Sequence, residues 1–131
     1  MTGFGGYSEK VALDSGRVFP LPDSISFDQA AAIPVTYGTA YHMLVHLGNL
    51  SLGDSVLVHH AAGGVGTAVA QICQALGASL IIGTASGPKR SFVESLGMRF
   101  VDREDEDFVE VCKNMTEGKG VHHAIDPVGG G

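Results

Sequence analysis

The sequence predicts an α/β fold built on a parallel sheet of about four strands, and three observations predict it. Short apolar runs of strand character alternate with segments of helical period from Ser55 to Asp126. Glycines stand at the joins without any repeat period. One stretch, Val56 to Gly77, reads as strand, glycine turn and helix in immediate succession.

Composition bounds the reading. A chain of 131 residues is one domain, with room for a fragment of another. Its 44% hydrophobic and 17% charged residues suit a packed core that needs no disulfide or metal. The net charge of −6 argues against a nucleic-acid partner. No apolar run is long enough to span a bilayer, and the N-terminus lacks a basic-then-apolar leader, so cytoplasm is the expected location. Cys73 and Cys112 form no C-x-x-C pair and read as reduced structural thiols.

Taken in order, Tyr7 to Leu13 alternates weakly, as a strand would. Arg17 to Pro22 reads as extended, because both prolines push their predecessors toward β or polyproline II. Ser26 is a candidate N-cap of a short helix, with Gln29 completing a capping box. Pro34 is expected to open a second helix, reaching about Leu47 and stopped by Gly48. Asn49 to Asp54 is a polar turn before the first strand, Val56 to Val58.

From Val65 the apolar residues recur at helical spacing, with Gly77 as the stop. Ser79 to Thr84 is the second strand. Ser86 to Leu96 is a helix with Pro88 in its first turn. Met98 to Asp102 is a third strand, Asp105 to Met115 a helix, and Val121 to Asp126 a fourth strand. The acidic run from Asp102 to Asp107 reads as a solvated loop and helix start. Right-handed crossovers turn this alternation into a parallel sheet. Rossmann winding gives the order 3-2-1-4, part of a longer sheet, with helices on both faces.

The glycine turn is the chemical signal. Gly63, Gly64 and Gly66 let the backbone turn sharply and approach a ligand closely. The unpaired amides at the following helix start favour an anion such as pyrophosphate. Tight packing alone would explain the same glycines, and Ala61 stands where the first glycine of G-x-G-x-x-G belongs.

More residues now add to the pattern: Gly6 to Leu13, Leu21-Pro-Asp23, Asp28 to Pro34, Thr39-Ala-Tyr41, Gly53-Asp54, His60-Ala-Ala-Gly-Gly-Val-Gly66, Gln71, Gly83-Thr-Ala-Ser86, Gly118-Lys-Gly120 and Asp126-Pro-Val-Gly-Gly130. In this order they resemble the zinc-independent quinone-oxidoreductase branch of the medium-chain dehydrogenase/reductase superfamily. VAT-1-like proteins and polyketide enoyl reductases are close alternatives. The resemblance implies a two-domain, homodimeric enzyme more than twice this length. Residues 1–25 would be the tail of a GroES-like catalytic domain. Residues 26–131 would be the first part of a Rossmann NAD(P)-binding domain, truncated before its last strands.

Activity follows from the resemblance too: hydride transfer from NADPH to a small molecule, a quinone or an α,β-unsaturated carbonyl. The rival expectation is a non-catalytic nucleotide-binding or VAT-1-like scaffold. Ala62, Gly63, Gly64, Val65 and Gly66 match the family's pyrophosphate loop, and alanine at the position of Ala61 is usual for this branch. Thr39 matches a position near the nicotinamide, and Asp126 and Val128 match the loop bordering its pocket. For each, helix packing or turn formation is the plain structural alternative.

NADPH is favoured over NADH by charge. An NAD site wants a carboxylate about 20 residues after the loop, on the ribose 2′-hydroxyl. Ser55 through Val93 contains none. The second strand ends in Gly83, Thr84 and Ser86, followed by Lys89 and Arg90, a set suited to a 2′-phosphate. Zinc is not expected: His42 and His46 have ligand spacing but no third partner. His59-His60 and His122-His123 are read as strand neighbours pointing to opposite faces. No catalytic acid or base stands out from the spacing.

Overall fold

The computed structural model describes residues 6–129. Contacts divide the chain into two units, Met1–Ala31 and Ala32–Gly131.

The first unit has little regular structure. Tyr7 to Leu13 forms no strand, which corrects the sequence expectation: among the described residues no strand pairs with it, and weak alternation alone does not hold one. A 3-10 turn covers Ser15–Arg17, opened by the Asp14 carboxylate, which accepts from the Gly16 amide at 2.8 Å. Helix α1 spans Phe27–Tyr41. It begins with the expected capping box. The Gln29 amide donates to Ser26 Oγ at 3.2 Å, and the Ser26 amide donates to Gln29 Oε1 at 3.0 Å.

Pro34 lies inside α1 instead of opening a second helix. Inside a helix proline forfeits one backbone bond and its ring crowds the carbonyl four residues back, a cost that the helix on either side of Pro34 absorbs. α1 runs straight on into a wider π-helical turn over His42–Leu47. There the Gly48 amide reaches back to the Met43 carbonyl at 2.9 Å.

The second unit carries the sheet. Strands β1 (Ser55–Val58), β2 (Leu80–Ala85), β3 (Arg99–Asp102) and β4 (His123–Ile125) form one parallel sheet in the order β3-β2-β1-β4. β1 is central: Val56 pairs with Ile81 on one side and His123 on the other. β4 is shorter than its apolar pattern suggested. His59, His60 and His122 lie outside the strands, leaving only His123 of that set in one.

Alternation along β1 feeds two cores. Val56 and Val58 pack with Ala68, Val69 and Cys73 of helix α2 (Gly64–Ala75) and with Val93 of helix α3 (Arg90–Ser95). Leu57 packs with Ile82, Val101 and Cys112, the last from helix α4 (Phe108–Met115). α2 and α3 therefore cover one face and α4 the other, as a doubly wound sheet requires.

The helix ends follow local chemistry. α2 stops at Gly77, whose φ of 77° is left-handed, and the Ala78 amide closes back onto the Cys73 carbonyl at 2.9 Å. α3 is shorter than expected, because Gly87–Lys89 around Pro88 forms a 3-10 turn before it. α4 is capped by Asp107, which accepts from the amides of Val109 and Glu110.

Candidate functional site

In an open α/β sheet, ligands settle outside the carboxyl ends of the strands, where the winding reverses. Here that point lies between β1 and β4. The chain leaves β1 at Val58 and turns through His59 to Gly63 into α2. Two bonds hold the turn: the Ala61 amide donates to the Thr84 carbonyl at 3.0 Å, and the Gly63 amide to the His60 carbonyl at 2.9 Å.

The glycines divide the work. A side chain at Gly66 would lie 2.6 Å from the carbonyl oxygens of both His60 and Ala61. Gly66 therefore seats the start of α2 directly on the turn. Gly83 does similar work beneath it, where a Cβ would meet Ala61 at 2.7 Å and Met98 at 3.0 Å. At Gly64 the neighbour is Thr36, on α1. Gly63 caps α2 without offering any side-chain bond. The first amides of a twelve-residue helix, from Gly64, Val65 and Gly66, thus face the turn without a capping side chain. These donors fit a diphosphate, which needs close backbone approach and no protein charge.

Two clefts open beside the turn. The first, about 230 Å³, is lined by His60, Ala62, Gly63, Ala85, Ser86, Lys89 and Arg103. The second, about 250 Å³, is lined by His59, His60, Thr84, Arg103, Phe108 and Asp126. Of the residues expected from sequence, Ala62, Gly63, Ser86 and Lys89 meet in the first cleft, and Thr84 and Asp126 in the second. No carboxylate lines the first cleft among the described residues.

The other expected residues stand elsewhere. Arg90 points to Glu94, at 3.5 Å, and stacks over the Phe100 ring at 4.3 Å. Lys89 makes no ion pair among the described residues. Thr39 is exposed on α1 and lines neither cleft, and Val128 is exposed after β4.

Thr84 is buried, and its hydroxyl meets His59 Nδ1 at 2.9 Å. The His59 ring also packs edge-on against Phe108, at 4.8 Å between centroids. Asp126 is a turn former, accepting from the Gly129 amide at 3.0 Å and the Val128 amide at 3.1 Å. Those bonds hold its carboxyl below the usual range, and nearby His59 and His60 push the same way.

Arg103 was missed in the sequence, where it looked like part of a solvated acidic run. It follows β3 directly, and its amide donates to the Ala85 carbonyl at 3.1 Å. Asp102 pairs with Ala85, so Arg103 stands level with Ser86. Its guanidinium pairs with exposed Glu104 at 3.6 Å. Strand register was the signal that could have found it.

A larger hollow, about 580 Å³, lies at the opposite edge of the sheet, lined by Ser55, Ser79, Lys119 and His122 among others. It sits at the amino ends of β1 and β2, away from the amides of α2. Here Asp54 takes a 2.8 Å bond from His123 Nε2, and Ser55 Oγ meets His122 Nδ1 at 2.8 Å. These contacts fasten β4 to the start of β1. Among the described residues no group of three metal-ligating side chains converges, and no helix is long and apolar enough to cross a membrane.

Known proteins are similar to this chain in sequence and fold. A family described as zinc-binding dehydrogenase matches residues 64–131. The synaptic vesicle membrane protein VAT-1 homolog of Danio rerio is 40% identical over 127 residues, covering 96% of this chain and 26% of its own length. This chain thus spans about a quarter of that relative. Among solved structures, CurK enoyl reductase superposes with a TM-score of 0.78 at 40% identity, covering 86% of this chain and 34% of that one. A quinone oxidoreductase of Pseudomonas syringae pv. Tomato DC3000 gives 0.78 at 36% identity, over 86% and 35%.

Proposed function

The chain belongs to the medium-chain dehydrogenase/reductase superfamily, on its quinone-oxidoreductase-like branch, and from that premise we propose that it binds NADPH and serves hydride transfer to a quinone or an α,β-unsaturated carbonyl. One observation carries the cofactor choice. The cleft beyond β2 offers Ser86, Lys89 and Arg103 with no carboxylate in its lining. A 2′-phosphate suits two cations and a hydroxyl; a bare 2′-hydroxyl would call for an acid.

When bound, the nicotinamide supplies the hydride. The protein's part is placement. The amides of Gly64, Val65 and Gly66 hold the diphosphate at the start of α2. Lys89 and Arg103 hold the 2′-phosphate. Thr84 fixes His59 through the 2.9 Å contact, shaping the wall of the second cleft toward Asp126. No zinc enters this reading. A cytoplasmic location and a homodimeric assembly go with it, as does the assignment of residues 1–25 to the tail of a GroES-like catalytic domain and of 26–131 to the cofactor-binding domain.

Calorimetric titration of NADPH and NADH tests the proposal. NADPH should bind more tightly, and Lys89→Ala with Arg103→Ala should cost NADPH about tenfold while leaving NADH nearly unchanged. Equal affinities, or an unaffected double variant, would sink the phosphate clamp. A second reading, a nucleotide-binding scaffold, draws on the likeness to a protein named for the synaptic vesicle membrane. NADPH binding without turnover of 9,10-phenanthrenequinone or an enoyl thioester would favour it.

A further inference from the structure

We propose that His42 and His46 form a two-point chelate for a divalent transition cation on the π-helical turn, a site separate from the dinucleotide clefts and independent of the cofactor reading. Two imidazoles four residues apart on one helical face can share a metal ion. In the sequence the pair has that spacing but no third ligand. The structure adds how the backbone and the rings stand. Ala40 and Leu44, on either side of His42, are fully buried and belong to the core. They anchor the helix and leave both histidines exposed. The turn over His42–Leu47 is π-helical, a widened geometry that recurs at functional sites.

The ring centroids of His42 and His46 lie 5.4 Å apart. Two imidazoles whose nitrogens sit about 2.1 Å from one tetrahedral cation have centroids about 5 Å apart. A small swing of exposed side chains therefore closes the pair on an ion. The Tyr41 ring stands edge-on to His46 at 5.6 Å and limits the freedom of that ring. The neighbouring pair on β4 differs: the centroids of His122 and His123 are 6.5 Å apart, and bonds to Ser55 and Asp54 already occupy those rings. No hydrogen bond or ion pair among the described residues engages His42 or His46.

The donor set narrows the ligand. Imidazole nitrogen suits Cu2+, Ni2+ and Zn2+, whereas Mg2+ and Ca2+ prefer oxygen. Among the first group the usual order of affinity puts Cu2+ ahead. Two protein ligands leave the remaining positions to water or to a donor from outside, so this is an open surface site and not a closed structural zinc. Neither dinucleotide cleft is lined by α1 or by the π-helical turn.

Calorimetric titration of the untagged chain with NiCl2 at about pH 8 tests the site, since a metal needs deprotonated imidazole. One strong site is expected. His42→Ala and His46→Ala should each weaken it at least about tenfold, because losing either ring removes the gain from linking two donors. The double variant should lose little more than either single one, the mark of a shared ion. Both side chains are exposed, so the variants keep the fold, which circular dichroism checks. Substoichiometric CuCl2 should broaden amide signals centred on residues 41–47. Absence of binding, single variants that lose no more than about half of it as independent sites would, or broadening centred on His122 and His123 overturns the chelate.

Discussion

Replacing Gly66 by alanine sets two effects against each other. Alanine in the first turn of a helix gains about 0.5–1 kcal/mol over glycine. The new Cβ, however, would lie 2.6 Å from two carbonyl oxygens. Both belong to backbone, and the His60 carbonyl is tied by the Gly63 amide, so neither yields as a flexible side chain would. Overpacking of this kind costs about 1–3 kcal/mol, which outweighs the propensity gain and leaves a net loss of roughly 1–2 kcal/mol. In a domain near this size that lowers Tm by roughly 5–10 °C. Thermal unfolding followed by circular dichroism reads it. Gly38→Ala is the internal control: Gly38 is also helical, on α1, and its Cβ would meet nothing within 4 Å, so this variant should gain stability. If Gly66→Ala matches Gly38→Ala in stability, the turn does not depend on that close approach.

Further outcomes follow from other parts of the chain. Asp54 has its pKa held below the ordinary 3.8, chiefly by the His123 hydrogen bond and then by the Ser51 amide. A depressed carboxylate stabilises the fold above its unfolded pKa and loses that contribution as pH falls through the folded value. Urea midpoints should therefore drop more steeply below about pH 4 in the parent chain than in Asp54→Asn, and parallel curves would refute the tie between β4 and β1. Burial pushes the Cys73 thiol up to about 11 and raises Cys112 as well. Iodoacetamide at about pH 8 should spare both in the folded chain and label both in guanidinium; mass spectrometry showing rapid labelling of native Cys73 would contradict its place in the core. Ser26→Ala removes one half of the capping box and should cost about 1 kcal/mol of helix stability, read as lost amide-exchange protection at Gln29 and Ala30. Unchanged protection there would mean that the cap contributes nothing.

The sheet was legible because its information is local. The strand run at Val56, the glycines at 63 to 66 and the stop at Gly77 each specify a short geometry, and right-handed crossovers leave little freedom in ordering the strands. What escaped depends on distant partners. Pro34 reads as a helix start, yet helix capped at Ser26 before it and the buried Ala40 and Leu44 after it carry one helix through. Tyr7 to Leu13 alternates as a strand does, but period alone supplies no neighbour to pair with. At the site, Lys89 is placed by its own turn beyond β2. Arg103 reaches the same cleft only because β3 pairs with β2 in register, which no local pattern near Arg103 announces. Arg90, adjacent to Lys89 in sequence, is turned aside by Glu94 one helical turn on and by the Phe100 ring.

The most direct test of the cofactor site is a titration of the isotope-labelled chain with NADPH, followed by amide chemical shifts. Binding should move the amides of His60, Gly63, Gly64, Val65, Gly66, Ser86, Lys89 and Arg103, at the carboxyl edge of the sheet. Shifts centred instead on Ser55, Ser79, Lys119 and His122, around the larger hollow at the opposite edge, would contradict the account.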